Sequence, residues 1–375
     1  MASEYSPGLE GVMAGISGIS EVDPIQNTLI YRGYDARELV EKCSFEEVAY
    51  LVLYGDLPTH TEYDAFTSRI KAQRDVPSSI YDLYRSFDNS AHPMDTLKAA
   101  VAVLAAQAKN ASDISESASL AAAESLLAKI PTLVVNGYRV THGDAPRPPS
   151  KELDHNQNFF YMLTGGEPNP MFNKALNATQ ILYIEHGFNA STFSSRVTVS
   201  TLADLYCGVV SAIGTLKGPL HGGANEHAMA MLLEIGTPER AEAWVDDALT
   251  NKKKIMGFGH REYKKGDSRA VIVKKHVQEL SDALGNRKWI EISDIVEAKM
   301  LAAKNLYPNV DFPVASTYYL MDIPVELYTP MFVMSRVVGW SANIIEQLAN
   351  NRIFRPQSEY NGPHDKKVTP LAARV

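Results

Sequence analysis

Residues 255–269 (IMGFGHREYKKGDSR) put three glycines, a histidine and four strongly basic side chains into one short window. Gly257 and Gly259 let the backbone come close to a ligand. His260 supplies a group whose charge changes near neutral pH, and Arg261, Lys264, Lys265 and Arg269 supply positive charge. Such a loop suits an anion that is to be both held and worked on. An isolated GxGH is more commonly a turn beside a solvated basic face, so its meaning depends on what else the chain brings.

Two further histidines stand in glycine-rich or polar surroundings near predicted helix ends: His186 in IEHGFNAST and His221 in KGPLHGGAN. Metal binding fits them poorly. His221 and His227 are six apart and fall on different helical faces, Glu226 does not complete an HExxH spacing, and Glu185 points away from His186 on a helix. A nucleophilic mechanism fits little better, since no GxSxG is present and neither Cys43 nor Cys207 lies in a basic loop. Asp311, in YPNVDFPV, has apolar neighbours that would destabilise its charge and make it a usable base, although a PNxD pattern alone also describes a turn. Arg336, within an apolar helix, needs an anionic partner, and Arg355 follows in IFRPQS. Histidines that donate to a carbonyl gaining negative charge, an aspartate that takes a proton from carbon and arginines that hold a polycarboxylate are equipment for carbon–carbon bond formation through an enol. Order and spacing leave this as one possibility.

The elements that must position these residues are helices. The chain has 375 residues, 45% hydrophobic and 21% charged, with a net charge of −8. That composition is globular and the length suits two domains; the acidic balance argues against general nucleic-acid or anionic-membrane binding. Cys207 lies in an apolar helical run and reads as a small core residue. The start, MASEYSPGLEG, shows no targeting pattern and no apolar run approaches membrane-spanning length, so a cytoplasmic setting is expected.

Residues 12–32, with a turn at Asp23-Pro24, suit one or two short strands ending near Leu29, Ile30 and Tyr31. Helical spacing then takes over. Phe45, Val48, Ala49 and Val52 share a face, closed by Gly55 and Pro58. Residues 97–106 are apolar almost all round and predict a buried helix, residues 117–130 another, and 144–150 (DAPRPPS) a surface loop. Further helices are expected over 201–216, from Thr237-Pro238, and over 270–284, 289–305 and 331–350, with Pro308 as a stop. The class is all-α with minor β near the N-terminus. Proline and glycine clusters at 218–223 and 324–330 mark hinges, giving a large domain (1–221), an inserted small domain (222–330), and a return to the large domain with a C-terminal arm (331–375).

The segments GYDARELVEKCSFEEVAYLVLYGDLPT, AHPMD, EHGFNASTFSSRV, TLKGPLHGGANE, MGFGHREYKKGDSR, YPNVD, FVMSRVVGWSANIIEQ and RPQSEYNGP resemble, in the same order, segments of the citrate synthase family. EHGFNASTF, FVMSRVVGW and RPQSEYNGP look most like the 2-methylcitrate synthase branch and the bacterial enzymes that accept both acetyl-CoA and propionyl-CoA. The resemblance implies the citrate synthase fold and a homodimer that condenses oxaloacetate with a short acyl-CoA. It implies no permanently bound cofactor and no metal. His221 matches the histidine that bonds the thioester carbonyl, Asp311 the base, and His260 the histidine that polarises the ketone. His186 and Asn189 match substrate-binding positions, Arg269 and Arg336 carboxylate-binding arginines, and Arg355 the arginine delivered across the subunit interface. Ile255, Met256, Gly257, Phe258 and Gly259 match the backbone that recognises the CoA adenine. Asn309 falls near the pantetheine arm, and Arg261, Lys264 and Lys265 fall near the phosphates. The long N-terminal extension of the NADH-regulated enzymes has no counterpart here, so a dimer without that control is expected. A citryl-CoA-type lyase and an inactive helical dimer with a regulatory role are the alternatives.

Overall fold

The computed structural model describes residues 5–374 apart from 261, 264 and 265, so the expected phosphate contacts Arg261, Lys264 and Lys265 lie outside the described residues. Three short strands, β1 (Ser20–Asp23), β2 (Thr28–Tyr31) and β3 (Tyr34–Asp35), form an antiparallel sheet in the order β1-β2-β3. Ser20 pairs with Tyr31 and Ile30 with Asp35. Asp23 Oδ1 accepts from the N–H groups of Ile25 and Gln26, which closes the hairpin.

Helices follow: α1 (Ala36–Lys42), α2 (Phe45–Tyr54), α3 (His60–Ala72), α4 (Ser78–Arg85), α5 (Pro93–Gln107), α6 (Glu116–Thr141), α7 (His155–Thr164) and α8 (Pro170–Tyr183). Then come α9 (Ala190–Val199), α10 (Leu205–Leu216), α11 (Ala224–Ile235), α12 (Pro238–Thr250), α13 (Ser268–Leu284), α14 (Lys288–Lys304), α15 (Asp311–Leu320) and α16 (Tyr328–Ala349). Local signals set many ends. Ser44 and Glu47 form a capping box at the start of α2, and Gly55 ends that helix at φ 99°.

The structure departs from the sequence reading at several points. The helix expected over 117–130 runs on through Pro131 to Thr141, because Pro131 is buried and the packing of α6, most extensively on α16, outweighs the lost backbone bond. At 26 residues α6 is long and apolar enough to cross a bilayer by length and composition, yet 67% of its apolar window is buried inside the protein. The helix expected from 201 starts at Leu205, since Asp204 caps it by accepting from the Cys207 N–H and Leu202 takes φ 67°. Cys207 is exposed on the first turn of α10 rather than in the core. In α5, Ala102 and Ala106 face outward, so only part of its apolar circumference is buried. Asn305, in the left-handed region at φ 52°, ends α14 ahead of Pro308, and Asp311 opens α15 rather than sitting in a turn.

The core is built on α16. It is buried along most of its length and packs on α2, α6, α8, α9 and α10. Buried Arg196 of α9 fastens it through Gln347, Asn343 and Glu346. At Gly339 the backbone passes the end of α8 so closely that a Cβ would sit inside the contact distance of the Ile184 carbonyl oxygen and Glu185 Oε2. Helices α11 to α15 pack chiefly on one another, α12 on α14 and both α11 and α13 on α15, and reach the rest through α13 on α8 and α11 on α16.

Candidate active site

The loop before α13 is joined to the loop before α15 by a short antiparallel exchange. The Gly259 N–H donates to Tyr307 O at 2.9 Å, and the Asn309 N–H to Gly257 O at 2.9 Å. Phe258 bridges Pro308, and Asn309 Nδ2 donates to Gly259 O at 3.1 Å. Gly257 is required here: its φ is 82° and an added Cβ would lie 2.8 Å from Phe312 Cβ. Ile255 is buried, and a cavity of about 260 Å³ opens beside His260, lined by Gly259, Tyr263, Asp267, Tyr307 and Pro308 among others.

His260 Nδ1 accepts from the N–H groups of Glu262 and Tyr263 at 3.0 and 3.1 Å. A peptide nitrogen can only donate, so the ring carries its proton on Nε2. The His260 ring lies 5.1 Å from that of His186, and Tyr263 packs on both. His186 follows α8; burial, with Arg269, His260 and Arg336 nearby, holds it well below the ordinary imidazole range. It is therefore neutral, and its buried Nε2 has no partner among the described residues.

His221 sits in the turn before α11. Its Nε2 receives the Ser191 N–H at 3.3 Å and lies 2.7 Å from Ser191 Oγ, so its proton is on Nδ1. Burial and then Arg336 depress its pKa to about 3, which leaves a neutral donor. Trp340 Nε1 donates to the same Ser191 Oγ at 3.0 Å, tying this histidine to α16. Asn189 is engaged within the protein: Oδ1 accepts from Thr192 N and Ser191 Oγ, and Nδ2 donates to Gly187 O and Thr192 Oγ1. Its place is behind Ser191 and His221.

Asp311, the first residue of α15, accepts a 2.6 Å bond from the Tyr183 hydroxyl. Burial raises its pKa to about 6, against the opposing influence of the Tyr183 bond, Arg269 and Arg336. Arg336 is 1% exposed, donates from Nε to Tyr183 O at 2.6 Å, stacks over Phe332, and keeps Nη1 buried without a partner among the described residues. Phe332 also packs edge-on against Tyr183 and His221. Arg269 is buried and paired bidentately with Asp267. One cluster thus holds His186, His221, His260, Arg269, Asp311 and Arg336. Arg355 lies apart, exposed, its Nη1 donating to Pro356 O.

Arg336 and the nearby His186 each keep a buried nitrogen with no partner among the described residues, and such a pair is a cradle for an anion. The residue model of one family covers most of the chain: "Citrate synthase, C-terminal domain" matches residues 8–357. The chain belongs to the citrate synthase family. A citrate synthase of Mycolicibacterium smegmatis is 43% identical over 367 residues, covering 98% of each chain. A 2-methylcitrate synthase of Mycobacterium tuberculosis is 42% identical over 98% of this chain and 93% of its own. Among solved structures, the citrate synthase of Thermoplasma acidophilum in ternary complex with carboxymethyl coenzyme A and oxaloacetate has a TM-score of 0.94 at 33% identity, covering 99% of this chain and 100% of its own.

Sequence reasoning for this citrate synthase family member missed Tyr183, Ser191, Asp267 and Phe332. Tyr183 ends an apolar helix and looks like core; Asp267 looks like an ordinary N-cap. A larger cavity of about 300 Å³, lined by Glu46, Asp154, Asn173 and others, lies on a different set of elements. Its carboxylates already serve helix starts, Glu46 accepting from the His155 N–H and Asp154 from that of Gln157.

Proposed function

We infer that the chain condenses oxaloacetate with a short acyl-CoA and water to give citrate or 2-methylcitrate and free CoA, through an enol. The observation that carries this is a carboxylate with a pKa of about 6, Asp311, in one cluster with neutral donor histidines and two buried groups, Arg336 and His186, that each keep a nitrogen unpartnered among the described residues. Oxaloacetate carboxylates are held by Arg269, Arg336 and His186, with Arg355 delivered by the second subunit of a homodimer. The His260 Nε2–H donates to the ketone, where negative charge grows on attack. Asp311 takes a proton from the acyl α-carbon while the His221 Nδ1–H holds the thioester oxygen, and the enol attacks the polarised ketone carbon. Water then hydrolyses the resulting thioester and CoA leaves. Asn189 acts as a positioning residue for Ser191 and His221 rather than as a direct ligand.

We further propose that residues 222–330 move as a small domain over the substrates, supported by the way α11 to α15 pack mainly on one another. Closure would exclude water and protect the enol. The 255–259 backbone and Asn309 are assigned to CoA, the acyl-CoA being substrate and not a resident cofactor. For the acyl group we propose propionyl-CoA with acetyl-CoA use retained, on the motifs EHGFNASTF and RPQSEYNGP; identity to relatives of both names is nearly level. An apolar pocket separates the two by about 1–3 kcal/mol at most. Release of CoA thiol with oxaloacetate, compared as kcat/KM for the two acyl-CoAs, tests both levels. No release with either would sink the function, and a strong acetyl bias would sink the preference. A cytoplasmic location is proposed on the composition alone.

A further inference from the structure

We propose that Asp267 is a positioning residue that couples the oxaloacetate-binding guanidinium of Arg269 to the first turn of the helix carrying Asp311. This rests on the function proposed above. Asp267 is fully buried, and as the N-cap of α13 one oxygen would suffice: Oδ1 accepts the Arg269 N–H at 3.0 Å. Its geometry does more. Oδ1 and Oδ2 also take Nε and Nη2 of Arg269 at 2.9 and 2.7 Å, and Oδ2 accepts the Val310 N–H at 3.0 Å. Val310 is the residue immediately ahead of Asp311, and its N–H belongs to the start of α15, which no side chain of its own cap satisfies. One carboxylate is therefore the joint between the group that receives a substrate carboxylate and the backbone that aims the base.

The joint also carries charge. The titratable and charged groups facing Asp311 are Tyr183 from α8, Asp267 and Arg269 from the start of α13, Arg336 from α16 and Tyr318 from its own helix. Burial works to raise the Asp267 pKa, but Arg269 prevails and keeps it below the ordinary carboxylate range, so it is a permanent anion. When a substrate carboxylate arrives at Arg269, the guanidinium is shared between two anions and favours the charged form of Asp311 less. The base then gains proton affinity when the ketone is loaded, which orders the chemistry after oxaloacetate binding.

Asp267→Asn, Asp267→Glu and Val310→Pro test this in the full-length protein. Release of CoA by the wild type, and its loss in Asp311→Asn, decide the underlying function separately and come first. In Asp267→Asn the acid limb of the pH profile for acyl-CoA turnover moves to lower pH, because a nearby negative charge is gone. kcat falls at least about tenfold, and the oxaloacetate KM changes as well because Arg269 loses its bidentate partner. Asp267→Glu returns the acid limb toward the wild-type position. Val310 has φ −58°, which suits proline, so Val310→Pro deletes the single N–H while sparing the Asp267–Arg269 pair; it lowers kcat at least about tenfold with oxaloacetate affinity kept. It also decides the question if Asp267→Asn fails to fold. An acid limb unmoved in Asp267→Asn, or unimpaired kcat in Val310→Pro, overturns the coupling.

Discussion

At the scale of single residues, the proposed mechanism separates proton transfer from hydrogen-bond donation. His221 and His186 are held neutral and His260 has Nδ1 occupied by peptide donors, so Asp311 is left as the group that exchanges a proton. Asp311→Asn should lower turnover by about 10²–10⁴-fold and abolish exchange of acyl α-protons with solvent, while oxaloacetate binding by calorimetry stays close to wild type. Because burial raises the Asp311 pKa to about 6, its basic form is present above that value, and kcat/KM for acyl-CoA should fall as pH drops through about 6. A profile flat from pH 8 to pH 5 would remove Asp311 from this role. The principal groups were legible in sequence because each stands beside glycine, proline or an apolar run that ordinary surface residues lack. Tyr183 was not, since a tyrosine at the end of an apolar helix is indistinguishable from core until its hydroxyl is seen 2.6 Å from the base.

At the scale of elements, the site depends on where α16 crosses the end of α8. Arg336 lies one turn before Gly339, and the Glu185 carboxylate meets α16 through Asn343. Gly339→Ala should destabilise the fold by about 1–3 kcal/mol, read by denaturant unfolding, and should weaken oxaloacetate binding by displacing Arg336. Glu185 is fully buried, and burial raises its pKa to about 7 against the influence of Arg336. The folded state thus keeps a proton that the unfolded chain gives up near the ordinary value of 4.5. Its contribution to stability is present below that value and lost as pH rises through about 7, so the difference in Tm between wild type and Glu185→Gln should change across that window. A constant difference would show that Glu185 does not titrate there. Helix existence and type could be read from spacing; the run of α6 through Pro131 could not. Periodicity says nothing about whether tertiary packing will carry a helix past a proline.

At the scale of the whole molecule, one chain assembles nearly the entire proposed site, and Arg355 is the exception. The proposed homodimer gives a complementation test. Asp311→Asn and Arg355→Gln chains, each inactive alone, should on random reassociation restore about a quarter of the sites, because half the pairs are mixed and each mixed pair has one intact site. No recovery would place Arg355 in its own chain's chemistry or outside it. This part of the site was hidden from local sequence patterns, since spacing along one chain carries no information about a second. The exposed arm that bears Arg355 has a genetic consequence on the proposed geometry. A lesion there leaves the chain that carries it with a working pocket and silences its neighbour's, so in a mixed population the damage acts in trans and defective copies would impair the product of intact ones.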